Sequence, residues 1–289
     1  MKNFKGSIIL LVTALIWGTA FVAQSVGMDH IGPFTFNSIR NFIGALTLLP
    51  FILIFDFFKK KKGTIAPKED KKTLWVGGIL CGIVLAVASS LQQIGLIYTK
   101  PGKAGFITAL YIVFVPLVKL FTKNKPKPRI WVSVLLAVIG MYLLCMKESL
   151  TLEIGDFYVL LCAIAFTFHI LVIDKYSPKV DCVKMSCIQF LVAGILCGIC
   201  MLFEDISLEG LKLATMPILY TGIMSSGVAY TLQIVGQKHT NPTLATIIMS
   251  LESVFSALAG WVILGDVMST GEIFGSLIMF VAIIIAQFA

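Results

Sequence analysis

Long apolar runs alternate with short polar breaks from one end of the chain to the other, and ten of the runs have the length of a membrane crossing. A helix needs about 20 apolar residues to span a hydrocarbon core. The runs fall at 7–27, 34–58, 73–98, 103–122, 130–146, 156–173, 184–203, 212–237, 242–264 and 271–288. They predict an all-α integral membrane protein with ten transmembrane helices. The first run follows Lys2 and Lys5 as a signal peptide would, but nine more spans come after it and Ala23-Gln24-Ser25 is a poor cleavage site. It reads as an uncleaved first helix.

The pattern also repeats. Residues Gln92 to Leu117 return 141 residues later as Gln233 to Leu258, with identical pairs that include Gln92/Gln233, Gly95/Gly236, Thr99/Thr240, Pro101/Pro242, Ala104/Ala245, Ile107/Ile248 and Leu110/Leu251. Chance identities would scatter, whereas these run without a gap through the end of one apolar run, a Pro-marked turn and most of the next. Two repeats are expected, 1–147 and 148–289, with five helices in each. An odd number of crossings makes the second repeat enter from the opposite side, so the repeats are expected to be inverted around a central cavity. That plan belongs to secondary transporters, whose site lies near the bilayer midplane where the halves meet.

Composition and charge agree with a membrane solvent. Over 289 residues, 58% are hydrophobic and 13% charged, and the mean hydropathy is +0.95, which excludes an ordinary soluble enzyme. The net charge of +8 does not make a nucleic-acid surface, because the basic residues lie in short runs between spans. With the N-terminus inside, the inner loops hold 18 Lys and Arg and the outer loops four, Lys100, Lys103, Lys147 and Lys212, with Arg40 left within a helix. Both termini are therefore expected in the cytoplasm, in a multi-pass protein of the cell (plasma or inner) membrane. The seven cysteines lie in apolar runs or an inner loop, and no disulfide is expected. Cys197-x-x-Cys200 within a helix reads as packing. No phosphate-binding G-x-x-x-x-G-K-[ST] occurs, so any driving energy comes from a gradient and not from ATP bound by this chain. No metal site, cofactor, catalytic group or nucleic-acid partner is expected; a monomer and a homodimer both remain open.

Few polar residues lie deep in the runs, and these carry the candidate chemistry. Glu252 is ten residues into a run of about 23 and has Tyr111 as its match at the 141-residue offset. An ionised carboxylate at the bilayer centre costs roughly 2.5–3.5 kcal/mol, so such a residue is a functional candidate by default. Glu252 is either a coupling group that exchanges a proton or a carboxyl held by hydrogen bonds for assembly. The offset predicts that Glu252 and Tyr111 face one another across the cavity, with Trp17 and Tyr230 lining the same space. Gln92 and Gln233 are further cavity candidates, while Gln24, Gln93 and Gln189 serve equally as gate residues or as interhelical glue. Arg40 is expected either to snorkel to the outer interface or to reach an acidic partner. His169 is expected to bond another helix, with a gating or coupling role as a proton relay as the alternative. Pro116 is expected to kink the fourth helix, where the ninth has Ala257. Gly78-x-x-x-Gly82, Gly194-x-x-x-Gly198 and Gly271-x-x-x-Gly275 are expected at helix contacts.

Three stretches carry a family likeness: TALIWGTAFVAQ with IGPFTFNSIRNFIGALTLLP within 13–50, QQIGLIYTKPGKAGFITALYIVFVPL at 92–117, and MSLESVFSALAGWVILGD with GEIFGSLIMFVA within 249–282. The chain thus resembles the drug/metabolite transporter superfamily and, within it, the EamA-type ten-helix transporters. The family pattern often has Pro at the place of Ser253 and Glu at the place of Asp266. The resemblance implies a basket-like fold with a central cavity, moving metabolites, amino acids or drugs, often outward. The expected function is secondary transport, with export of small organic metabolites by alternating access and protons as the coupling ion. An uncoupled facilitator or uptake carrier, and a non-transporting membrane partner protein, are the alternatives.

Overall fold

The structure, a computed structural model, describes residues 2–61, 70–99, 101–122, 126–145, 153–259 and 269–288, and every regular element among them is helical. In chain order these are α1 (Lys2–Met28), α2 (Pro33–Lys61), α3 (Lys71–Tyr98), α4 (Pro101–Thr108), α5 (Tyr111–Leu120), α6 (Pro128–Cys145), α7 (Ile154–Tyr176), a 3₁₀ turn (Ser177–Lys179) and α8 (Cys182–Met201). They continue as α9 (Leu208–Leu213), α10 (Thr215–Tyr220), a π-helical stretch (Thr221–Tyr230), α11 (Thr231–Gln237), α12 (Pro242–Met249), α13 (Glu252–Ala259) and α14 (Thr270–Gln287). Among the described residues eight helices are long and apolar enough to cross a membrane, and two shorter apolar ones, Pro128–Leu144 and Pro242–Leu258, fall where the other two expected spans lie. Most of the basic loop 59–72, Lys100, Lys123, Lys125, Lys147, the 147/148 boundary, 260–264 and Asp266 lie outside the described residues.

Helix starts follow local chemistry. Asp70, Asp181 and Asn241 accept backbone N–H bonds from the first turns of α3, α8 and α12, and Pro242 fills a helix-start position that needs no donor. Ser269 and Glu272 form a reciprocal capping box on α14, as do Glu153 and Asp156 on α7. α2 is capped from elsewhere in the chain: Phe34 N and Thr35 N donate to Glu204 Oε1 and Oε2 at 2.9 and 2.7 Å. A carboxylate at a helix N-terminus satisfies orphan donors and opposes the positive end of the dipole.

The outside of the bundle is apolar and much of its interior is polar. Leu46, Leu53, Leu135, Ile195, Phe274 and Leu277 are exposed, while Asn37, Arg40, Gln93, His169, Gln189, Ser225 and Glu252 are buried. A surface of that kind is solvated by lipid tails; the protein is a membrane protein. Helices approach closely where side chains are absent. The Gly78/Gly82 pair packs on Ile188 and Val192 of α8, Gly194/Gly198 on Phe42 and Ser38 of α2, and Gly271/Gly275 on α6. Two close approaches repeat each other. A Cβ on Gly95 would stand 2.4 Å from Val159 Cγ2 and 3.1 Å from the Gly155 oxygen; one on Gly236 would stand 2.7 Å from Leu10 Cγ and 3.3 Å from the Gly6 oxygen. Gly95 and Gly236 are 141 residues apart, and Leu10 and Gly6 precede Val159 and Gly155 by 149.

The fourth and ninth runs depart from the expected continuous helices. Each is broken, at Ala109-Leu110 and at Ser250-Leu251, so that Tyr111 and Glu252 begin the second pieces. The backbone tightens identically at both: Leu110 N donates to Ile107 O and Ile112 N to Ala109 O, and Leu251 N donates to Ile248 O and Ser253 N to Ser250 O. These i→i−3 bonds wind a 3₁₀ turn into an α path and turn the following piece away from the first. Pro116 is not the site of the interruption; it lies five residues into the second piece, α5.

Candidate functional site

The two breaks face a small cavity of about 40 Å³ among α1, α2, α3, α7, the π stretch, α11 and the broken helices. That is room for a few waters. Trp17, Gln92, Tyr111, Tyr230, Gln233 and Glu252 are among the residues that line it. The Tyr111 hydroxyl donates to Glu252 Oε1 at 3.2 Å, and both side chains are buried. Because each residue opens the second piece of its helix, the phenol and the carboxyl are held by backbone on rigid elements.

Aromatic rings make the wall beside them. Trp17 and Tyr230 meet edge to face with centroids 4.7 Å apart, and Phe190 and His169 approach Tyr230 at 6.0 Å each. The indole Nε1 of Trp17 is buried with no hydrogen-bond partner among the described residues, as is Oε1 of Gln233. Gln92 donates to Thr108 Oγ1 at 3.3 Å, tying α3 to the last residue of α4. Thr108 also lines the cavity, as does Met249, the residue 141 positions on.

Both readings of Arg40 are corrected, while His169 makes the interhelical bond expected of it. Arg40 neither snorkels nor finds an acid among the described residues. It is 2% exposed, it lines the cavity, and its Nη1 donates to Gln24 Oε1 at 2.8 Å. The register of α2 turns Arg40 inward, where the Phe36 ring lies 5.9 Å from its guanidinium carbon. His169 is fully buried but does not line the cavity; its Nε2 meets Gln189 Oε1 at 3.1 Å, joining α7 to α8. Its neighbours on the same helix, Phe166 and Ile170, line the space instead. Gln93 also serves contact elsewhere, donating to Met28 Sδ at 3.5 Å.

Phe21, Gln24, Phe166, Ile170, Ser225 and Met249 complete the lining and were not among the residues singled out from sequence as cavity-lining, apart from Gln24 as a gate or glue residue. A signal for two of them was present. Trp17 and Phe21 on α1 stand 149 residues before Phe166 and Ile170 on α7, the same spacing that relates the glycine contacts. Ser225 follows from no such rule, because it sits in the π stretch.

Comparison with known proteins adds the family. The EamA-like transporter family matches residues 4–146 and again residues 153–288. The chain is 30% identical over 288 residues, 99% of its own length and 87% of the other's, to an uncharacterized transporter of Archaeoglobus fulgidus. It is 22% identical over 93% of its length to the uncharacterized transporter YoaV of Bacillus subtilis, covering 92% of that protein. A WAT1-related chloroplastic protein of Arabidopsis thaliana is 23% identical over 97% of the chain and 69% of its own length. A solved crystal structure superposes with a TM-score of 0.78 over 98% of this chain and 96% of its own, at 16% identity, so the fold is shared. With its apolar membrane-spanning helices, a polar interior and two successive family matches that together cover nearly all of its length, the chain belongs to the EamA-like transporter family and is a membrane transporter, not an enzyme.

Proposed function

We propose that the chain is a ten-span secondary transporter of small organic solutes, built from two inverted five-helix repeats, 1–147 and 148–289, and working by alternating access around the cavity. The observation that carries this reading is the hydrogen bond between Tyr111 and Glu252 at matched helix breaks inside a polar cavity. Broken helices at an intramembrane site are the means by which transporters expose backbone groups where these line a cavity. Several matched features support the repeats: the 3₁₀ turns 141 residues apart, the Gly95 and Gly236 contacts, and the double family match. Helix packing agrees with them, since α3 packs on α7 where α11 and the π stretch pack on α1, and α3 packs on α8 where the π stretch packs on α2.

Glu252 is the coupling group in this reading. Occupied by a proton it is a neutral partner for the Tyr111 hydroxyl, and a change of access lets it lose that proton to the other side. The proposed topology keeps both termini cytoplasmic in the cell membrane, with net export of metabolites such as amino acids. Purified protein in proteoliposomes, assayed for solute flux with and without a pH gradient, tests it. Accumulation that follows the gradient supports coupled transport; flux that equilibrates regardless of the gradient replaces it with a facilitator, and no flux of any metabolite in a broad panel removes transport by this chain alone.

A further inference from the structure

Arg40 is a cation buried in the bundle with little to hold it. Its one hydrogen bond to a described residue is Nη1 to Gln24 Oε1 at 2.8 Å, and its Nε is buried without a partner. The ion pairs formed among the described residues join Lys103 to Asp156, Lys119 to Asp174 and Lys184 to Asp56; none includes Arg40. Glu252, the other ionisable residue of the cavity lining with an acidic group, is engaged by Tyr111 and not by Arg40. A guanidinium left unpaired in a low-dielectric interior is expensive, and a neutral amide with one ring at 5.9 Å offsets little of that cost.

Arg40 also lines the cavity, as does Trp17, whose buried indole N–H is a second donor without an acceptor among the described residues. Two cavity-lining residues thus carry buried donors without a described partner, and one of them is a charged fork whose complement is an acceptor with more than one oxygen and a negative charge. Arginine meets a carboxylate with two parallel N–H···O bonds. The surrounding walls, Phe21, Trp17 and Tyr230, are apolar faces. From this donor set we propose that Arg40 is an anion subsite, which takes the carboxylate of a small carboxylate-bearing solute while Trp17 and Tyr230 cover its apolar part in a state of the access cycle wider than the present one, whose cavity admits only a few waters. The proposal deepens the transport reading by naming the substrate class, and it rests on that reading only for the solute being cargo.

Arginine chemistry gives the test, because the sequence has only two arginines, Arg40 and Arg129, and Arg129 is exposed. The full-length protein in phosphatidylcholine nanodiscs is treated with phenylglyoxal, and modification of each arginine is followed by peptide mass. The probes are acetate, phenylacetate and L-phenylalanine, each beside its primary amide, with inorganic phosphate as a further anion. At least one carboxylate is expected to slow modification of Arg40 by tenfold or more while its amide does not, with Arg129 unaffected by either. The same carboxylate should raise the melting temperature of the wild type and leave that of Arg40→Gln unchanged, with Arg40→Lys recovering part of the rise. Equal protection by acid and amide, protection by phosphate alone, protection by no carboxylate, or an Arg40 that the reagent never reaches would each overturn the carboxylate subsite. If Arg40→Gln does not fold, the labelling of the wild type still decides. Protection without solute flux in proteoliposomes would remove the transport reading and keep the subsite; flux without protection would do the reverse.

Discussion

Gln92, Thr108 and Tyr111 line the cavity together with Gln233, Met249 and Glu252, their counterparts 141 residues on, and Trp17 and Phe21 line it with Phe166 and Ile170, 149 residues on. Gln24, Arg40, Ser225 and Tyr230 line the same cavity with no such counterpart in it. On the repeat reading proposed above, the cavity has a matched part and an unmatched part. The matched part keeps its backbone device, the 3₁₀ turn, and its one identical side-chain pair, Gln92/Gln233, while the chemistry at the other positions has diverged to phenol against carboxyl. Two residues of the unmatched part, Ser225 and Tyr230, have lost even the backbone match: α3 is an α-helix over 80–89, whereas Thr221–Tyr230 is wound as π. A π ring takes one residue more than an α ring, so it rotates the side chains beyond it relative to an α path. Gly222 and Gly227 let that wider stretch lie against Ile43 and Thr47 of α2. In that reading the duplicated frame supplies movement and position, and departures from it supply selectivity.

The largest expected effect falls on Glu252, where the two parts of the matched pair differ in charge. Glu252→Gln keeps the shape and the acceptor for Tyr111 and removes the exchangeable proton, so gradient-driven accumulation should vanish and the pH profile of flux should become flat. Folding should survive, because the change removes a buried ionisable group. Unaltered pH dependence in a well-folded Glu252→Gln protein would make the carboxyl an assembly element.

The frame itself is tested at its glycines. Gly95→Ala and Gly236→Ala should each destabilise the protein by about 1–3 kcal/mol, since the added carbon overlaps Val159 in one case and Leu10 in the other. Gly105→Ala, where nothing lies within 4 Å of the added carbon, is the control and should cost little. Melting in nanodiscs reads all three. Similar losses at Gly95 and Gly236 are expected; a loss at one alone would break the matched frame.

A smaller effect is expected from the phenol. Tyr111→Phe deletes one hydrogen bond to Glu252 and leaves the ring, so it should change flux by roughly 2- to 13-fold, the equivalent of about 0.5–1.5 kcal/mol. The double variant with Glu252→Gln should not lose the sum of the two effects, because both act on one contact. Additive losses would mean that the two residues work separately.

Much of this was legible before any coordinates. The apolar runs announce membrane helices by length alone, and the unbroken 141-residue offset brings Tyr111 to Glu252. The helix breaks were hidden, since Ala109-Leu110 and Ser250-Leu251 contain neither Gly nor Pro and lie within apolar sequence. Ser253 stands where the family resemblance puts a Pro, yet the turn forms without it. The direction of Arg40 and the choice of Phe166 and Ile170 over His169 were hidden for a related reason. A helix apolar on nearly every face has no stripe from which its rotation can be read. Packing against neighbours sets that rotation, and in α7 it gives His169 to Gln189 on α8.

His169 offers the finest test, because it lies just behind the unmatched wall. Its ring is 6.0 Å from Tyr230, its Nε2 meets Gln189, and its Nδ1 has no partner among the described residues. Gln189 is held in turn near Ser186, whose hydroxyl accepts from Thr231 at 2.9 Å, so the contact joins α7, α8 and α11 outside the cavity. His169→Gln can keep the bond to Gln189 and should leave flux and its pH profile unchanged. His169→Leu loses it and should cost about 0.6 kcal/mol, the usual size of an interhelical hydrogen bond in a membrane. A pH profile that shifts in His169→Gln while the melting temperature stays put would give His169 a share in coupling. The proton path would then reach past the Tyr230 wall to α8, beyond the matched pair at the helix breaks.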